Sequence, residues 1–273
     1  MKPAPFTYRR AASVADAVRM SGELGGDASL IAGGQSLTPL LNLRMTMCDT
    51  LIDIGGLADM RNTRDLGDSI FIGAGVTHAM IEDGLTPDPS NGMMRRAASH
   101  IAYRAVRCHG TIGGSVAMAD PAADWPCILL ALDATAVIVS SAGERRVALD
   151  DLLVGTYETS LIAGELIAGF EIPKLPESAR AASSKINRKT GAFATSLAVA
   201  VRNGASSRVT LGAAGPRARI LPRVSSALAR GEALQVIEDH VALDVASLLP
   251  EPDAYLQNLH TSNVMRVLAE VSS

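Results

Sequence analysis

The sequence predicts an α+β protein in two parts. Three observations predict it: the order strand, glycine loop, helix occurs twice in the first half, a proline-containing stretch from Pro173 to Ser178 interrupts the chain, and beyond it two apolar runs flank a short polar loop. With 273 residues, 48% of them apolar and 19% charged, the chain can bury a core in one large domain or two smaller ones.

The elements follow in order. Ser13 is placed to cap a helix carrying Ala17, Val18 and Leu24 at helical spacing, and Gly25-Gly26 ends it. A strand through Leu30-Ile31-Ala32 leads into the first glycine loop, after which Thr38-Pro39 is expected to open a helix from Leu40 to Met45. Leu51 to Ile54 and Ile70 to Ile72 read as strands closed by glycine, and helical segments surround Ile81 and Arg95. After the second glycine loop, Asp120-Pro121 is expected to cap and open a helix from Ala122 to Ala131. Ala136 to Val139 and Glu165 to Ile172 are further strands, the second ending at Pro173. Ser196 to Arg202 and Arg208 to Leu211 form a hairpin around Asn203 to Ser207, and helices around Ala227, Ile237 and Val267 follow.

Composition and motifs exclude several functions. A net charge of -3 with scattered arginines lacks the basic excess of a nucleic-acid footprint. The first ten residues have no apolar core, so neither secretory signal nor membrane span is expected and the chain is placed in the cytoplasm. Cys48, Cys108 and Cys127 are too few and too dispersed for a zinc or iron–sulfur ligand set and are expected to be buried thiols. Gly73-Ala74-Gly75 follows a strand, but a dinucleotide fingerprint needs glycine where His78 stands. Neither Ser36 nor Ser115 completes a nucleophile elbow, because Thr38 and Ala117 replace its last glycine. No catalytic residue and no metal ligand is assigned.

The glycine loops carry the positive signal. Paired glycines permit positive φ and leave backbone N–H groups clear to converge on an anion, and a helix starting just downstream adds its own. Hydroxyls at Ser36, Thr111 and Ser115 lie beside both pairs. Two such loops suit the two phosphates of one dinucleotide. Valine at Gly33 or Gly114 is expected to block the diphosphate and leave the fold intact.

Ala32-Gly33-Gly34-Gln35-Ser36-Leu37-x-Pro39 with Arg44, Thr111-Ile112-Gly113-Gly114-Ser115, and Asp120-Pro121-Ala122-Ala123-Asp124 together resemble the FAD-binding medium subunits of molybdenum hydroxylases. Carbon monoxide dehydrogenase and the flavin domain of xanthine dehydrogenase are members of that family. The resemblance runs from Lys2-Pro3 through Lys185 into the C-terminal part. It implies a two-lobed FAD-binding domain of the PCMH (vanillyl-alcohol oxidase-like) type over residues 1–175, with lobes of about 1–57 and 58–175. A smaller C-terminal domain of antiparallel sheet and helices then occupies 176–273.

By the same resemblance, Ala32, Gly33, Gly34, Gln35, Ser36 and Leu37 hold the FAD diphosphate together with Thr111, Ile112, Gly113, Gly114 and Ser115. Asp124 contacts the nucleotide end, Ile167 lines the cleft, Lys185 lies near the flavin, and Ile101 and Phe193 flank the isoalloxazine. Read from the residues alone, Asp124 also fits a first-turn aspartate, Lys185 a solvated strand charge, and Ile101 and Phe193 core positions. The chain departs from the family at Arg104-Ala105-Val106-Arg107, where many relatives carry Pro-Gln-Ile-Arg, at Ser115 in place of asparagine, and at Ala192 in place of aspartate.

The implied function is an electron-transfer subunit that takes electrons from iron–sulfur clusters of a small partner and passes them to an external acceptor. A large molybdenum-pterin subunit would complete the enzyme as a dimer of heterotrimers. A stand-alone FAD oxidase or reductase, and a nucleotide-binding module without redox function, remain open from the residues.

Overall fold

The computed structural model describes residues 2–273. β1 (Thr7–Arg10), α1 (Val14–Leu24), β2 (Ala28–Ile31), α2 (Leu37–Leu43) and β3 (Thr50–Asp53) build a first lobe around a parallel sheet ordered β1-β3-β2. As predicted, Ser13 caps α1 by accepting the Asp16 N–H, and Gly25 ends it at φ 56°. The second helix departs from expectation. Gly34 turns the chain at φ 70°, the Thr38 N–H bonds back to the Gly34 carbonyl, and α2 therefore starts at Leu37 with Pro39 inside it. It stops before Met45 because Arg44 is left-handed.

The second lobe contains β4 (Thr63–Asp65), β5 (Ser69–Gly73), α3 (His78–Glu82), α4 (Met93–Ser99), α5 (Arg104–Arg107), α6 (Ile112–Met118) and α7 (Asp124–Ala131). It continues with β6 (Thr135–Ser140), β7 (Gly143–Ala148), α8 (Leu149–Leu152), the short pair β8 (Leu153–Gly155) and β9 (Glu158–Thr159), and β10 (Leu166–Pro173). The sheet is antiparallel in the order β4-β5-β10-β6-β7. Because β10 inserts between β5 and β6, the segment joining those two strands must leave the sheet, and that segment carries the second glycine motif.

Two expectations here are corrected. The second motif is not a loop after a strand: Thr111 caps α6, and Gly113 and Gly114 form its first turn without positive φ. The next helix starts at Asp124 rather than Ala122, because the Asp120 carboxylate accepts the Ala122 N–H and closes a separate turn. Strand β7 was not legible, since Gly-Glu-Arg-Arg-Val-Ala has one apolar branched residue and an exposed surface.

Beyond Pro173 the chain enters another sheet, β11 (Arg180–Ile186), β12 (Ser196–Arg202), β13 (Arg208–Gly212) and β14 (Arg219–Ile220), antiparallel in that order. The helices α9 (Pro222–Arg230), α10 (Leu234–Leu248) and α11 (Ala254–Ser272) follow. Leu197, Val199 and Val201 on one face of β12 join the core of the second lobe, while Ala198 and Ala200 on the other pack against the C-terminal helices. A strand covered on both faces needs no polar alternation, which is why β12 reads as a continuous apolar run. Helix α7 is buried along its whole length for the same reason, lying between the second-lobe core and β12–β13. Cys48 and Cys127 are buried as expected. Cys108 is exposed, because it follows the surface helix α5, which buries none of its residues.

Candidate functional site

A cleft of about 540 Å³ opens where the two lobes and β11 meet. Of the residues singled out in the sequence, Ala32 to Leu37, Ile101, Thr111, Gly113 to Ser115, Asp124, Ile167, Lys185 and Phe193 all line it. Ile112 does not: its side chain is fully buried in the core, and its N–H bonds to the Val76 carbonyl.

The first motif leaves its backbone open. The N–H groups of Gly33, Gly34, Gln35, Ser36 and Leu37 have no acceptor among the described residues, a row of donors suited to an anion. The Gln35 amide donates to the Gly33 carbonyl at 2.9 Å and stiffens the turn. Glycine at 33 is dictated by packing, since a Cβ there would fall 1.9 Å from the His109 carbonyl oxygen.

The second motif uses its backbone internally. Ile112 N–H bonds to Val76, Gly113 N–H to the Ala74 carbonyl at 2.9 Å, Gly114 N–H to Thr111 Oγ1 at 3.0 Å, and Ser115 N–H to the Thr111 carbonyl. What remains for a ligand is the Thr111 and Ser115 hydroxyls and the positive end of α6. Gly113 exists for contact, because a Cβ would lie 2.3 Å from that of Ala74.

Asp124, in the first turn of α7, and Lys185, on β11, form an ion pair at 2.9 Å with both side chains less than 10% exposed. Lys185 is therefore no solvated strand charge. Burial pushes the Asp124 carboxyl above the ordinary carboxylate range, and the Lys185 ammonium draws it back. The pairing puts both side chains at one point of the cleft, whereas the resemblance assigns them to different portions of the cofactor. Glu165, also in the lining, is held by Arg145 at 2.6 Å, which keeps its carboxyl below the usual range.

Ile101 sits on a short segment clamped by Arg107, which donates to the Ile101 and Ala102 carbonyls and grips both oxygens of Glu82. Arg107 thus shapes this wall. Arg104 bridges Glu82 and Asp83. Ile167 lies at the irregularity where β10 shifts register against β6. Phe193 is 60% exposed at the mouth, in the connection between β11 and β12, where Gly191 rests against the Tyr103 ring.

A family model described as the FAD binding domain in molybdopterin dehydrogenase matches residues 4–175. The chain belongs to this family of FAD-binding subunits. It is 38% identical to the 6-hydroxypseudooxynicotine dehydrogenase complex subunit alpha of Paenarthrobacter nicotinovorans, over 99% of this chain and 94% of that one. It is 36% identical to the carbon monoxide dehydrogenase medium chain of Hydrogenophaga pseudoflava, over 71% of this chain and 68% of the relative. Among solved structures, reconstituted CO dehydrogenase from Oligotropha carboxidovorans superposes with a TM-score of 0.92 at 31% identity, covering 100% of this chain and 99% of the other. Quinoline 2-oxidoreductase from Pseudomonas putida 86 superposes at 0.88, with 30% identity and coverage of 100% and 98%. These relatives are components of oxidoreductases, and so is this FAD-binding subunit.

The geometry suits the cofactor: the lining offers unpaired backbone donors, glycines where side chains cannot stand, and a volume within the ordinary range for ligand clefts. Among the lining side chains that sequence reasoning did not assign to the site are the polar Asp120, Glu165 and His78. Asp120 was visible as a cap and as part of the family motif, but not as a lining residue. His78 entered only as the residue that spoils a glycine fingerprint, and a lone histidine after a turn carries no other signal.

Proposed function

We propose that the chain is the electron-transfer subunit of a molybdenum hydroxylase, taking electrons from iron–sulfur clusters of a small partner subunit and delivering them to an external acceptor. A large molybdenum-pterin subunit oxidises the substrate, and two heterotrimers pair. The observation that carries this reading is a single cleft bringing both glycine motifs together with a buried Asp124–Lys185 pair, in a chain of this family. When bound, FAD supplies a centre that exchanges electrons singly or in pairs.

The chain's own residues bind and enclose it. The open N–H groups of Gly33 to Leu37 hold the diphosphate, with hydroxyl donors from Ser36, Thr111 and Ser115. Asp124 and Lys185 present one fixed carboxylate and one fixed ammonium to the polar middle of the cofactor, and Ile101, Ile167 and Phe193 exclude water from its ring. In this reading residues 1–175 form the cofactor domain, with lobes near 1–57 and 58–175, and residues 176–273 form a second domain that contributes Lys185 and Phe193.

Isolation of the complex from its source tests the assignment. The expected result is flavin, iron–sulfur absorbance and molybdenum in a particle of three different chains. A yellow protein that migrates alone and turns over alone would replace this reading with that of a free-standing flavoenzyme.

A further inference from the structure

His78 is 6% exposed and lines the cleft, yet no part of the reading above uses it. It stands in the first turn of α3, behind Thr77, whose hydroxyl caps that helix. Its backbone N–H bonds to the Gly110 carbonyl, which ties it to the start of the second glycine motif. Its ring reaches the same place: Nε2 would lie 2.7 Å from a Cβ built on Gly110. Gly33 of the first motif also packs against His109 and Gly110, so the ring lies beside a glycine that touches the first motif and directly precedes the second.

The tautomer is dictated. Trp125 Nε1–H, which can only donate, donates to His78 Nδ1 at 2.9 Å, fully within the protein. Nδ1 is therefore unprotonated, and in a neutral imidazole the proton must be on Nε2. The ring is neutral because burial, helped by the nearby charge of Arg107, pushes its pKa down to about 4. Nε2–H has no acceptor among the described residues. A donor locked in direction, without a partner among the described residues and standing in the cleft lining, is free to bond an acceptor in the ligand.

We propose that His78 is a binding residue for the cofactor, its Nε2–H donating to a diphosphate oxygen where the two glycine motifs meet. This rests on the reading that FAD occupies the cleft. The contribution differs in kind from that of an arginine or lysine: a neutral donor of fixed orientation adds a hydrogen bond to the anion without bringing a charge that would need its own counterion inside the cleft.

The test uses the full chain stripped of flavin, titrated separately with FAD and with ADP. His78→Phe is expected to weaken both ligands roughly ten- to a hundredfold, the ordinary range for losing a hydrogen bond to a charged group. His78→Gln, which keeps a donor at similar reach, is expected to recover most of the loss. Wild-type binding of FAD with an unchanged affinity in a folded His78→Phe protein would overturn this inference alone, and failure of the wild type to bind FAD would overturn the cleft assignment as well. Weakened FAD with unchanged ADP would place the acceptor on the ring half and refute the diphosphate contact. If the phenylalanine variant does not fold, nitrogen-15 spectra of labelled wild-type histidine decide. The His78 signal should report an Nε2–H tautomer and move when FAD is added, and an Nδ1–H tautomer, or a signal indifferent to FAD, would sink the proposal.

Discussion

In the first glycine motif the N–H groups from Gly33 to Leu37 have no acceptor among the described residues, whereas in the second those from Ile112 to Ser115 are all bonded internally. The two segments share a pair of glycines followed by a serine or a glutamine and serine, and both line one cleft. The difference lies in what surrounds each. The first leaves β2, turns at Gly34 and faces the cleft with its backbone. The second is clamped against the turn after β5, with Ala74 and Val76 taking its first two N–H groups and Thr111 taking the third. Glycine there lets a helix approach another segment of backbone, and the hydroxyls beside it are what remain for a ligand.

The largest effect expected from this contrast is on folding. Alanine at Gly33 would meet the His109 carbonyl oxygen at 1.9 Å, and alanine at Gly113 would meet Ala74 at 2.3 Å, so each should cost roughly 2–4 kcal/mol in the flavin-free protein. The earlier expectation that valine at Gly33 spares the fold is withdrawn on this geometry. Chemical denaturation of the apo variants measures it, and wild-type stability in either variant would break the reading of Gly33 and Gly113 as packing glycines.

Acid comes next. His78 has a lower pKa folded than unfolded, so between these values the unfolded chain binds the extra proton and stability falls as pH falls. From about 6.5 down to about 4 the loss should reach about 3 kcal/mol. Denaturation curves at a series of pH values should show this slope in the wild type and a flatter one in His78→Phe.

The smallest effect is the sharpest discriminator. Thr111→Ala removes the cap of α6 and should destabilise the apo protein by about 1 kcal/mol, besides weakening FAD. Ser36 makes no capping bond to α2, so Ser36→Ala should weaken FAD and leave apo stability unchanged. Thermal melts of both apo proteins, paired with FAD titrations, separate the two cases.

Much of this was legible in the sequence, and the failures have two physical causes, local turns that resemble caps and contacts between distant segments. Strands with a dry face, such as β5 and β6, were visible from their apolar runs, and α1 from its serine cap and closing glycine. The helix starts after both motifs were misplaced because Thr38-Pro39 and Asp120-Pro121 carry the local signs of a cap, while the Thr38 N–H instead bonds to the Gly34 carbonyl and the Asp120 carboxylate closes a separate turn on Ala122. The lining residues were found because their motif is local. Which N–H groups are free was not readable, since that depends on Ala74 and Val76, far away in sequence. The pairing of Asp124 with Lys185 was hidden for the same reason: one residue sits on a helix and the other on a strand of a different sheet.

That pair limits how such a protein can be taken apart. A chimera whose replacement for the region after residue 175 lacked the lysine would keep only one of two buried charges. Leaving the other without its partner typically costs about 3–5 kcal/mol, a large share of the 5–15 kcal/mol by which an ordinary domain is stable. The cofactor-facing lobes and the C-terminal sheet are therefore interchangeable only between chains that keep both the aspartate and the lysine.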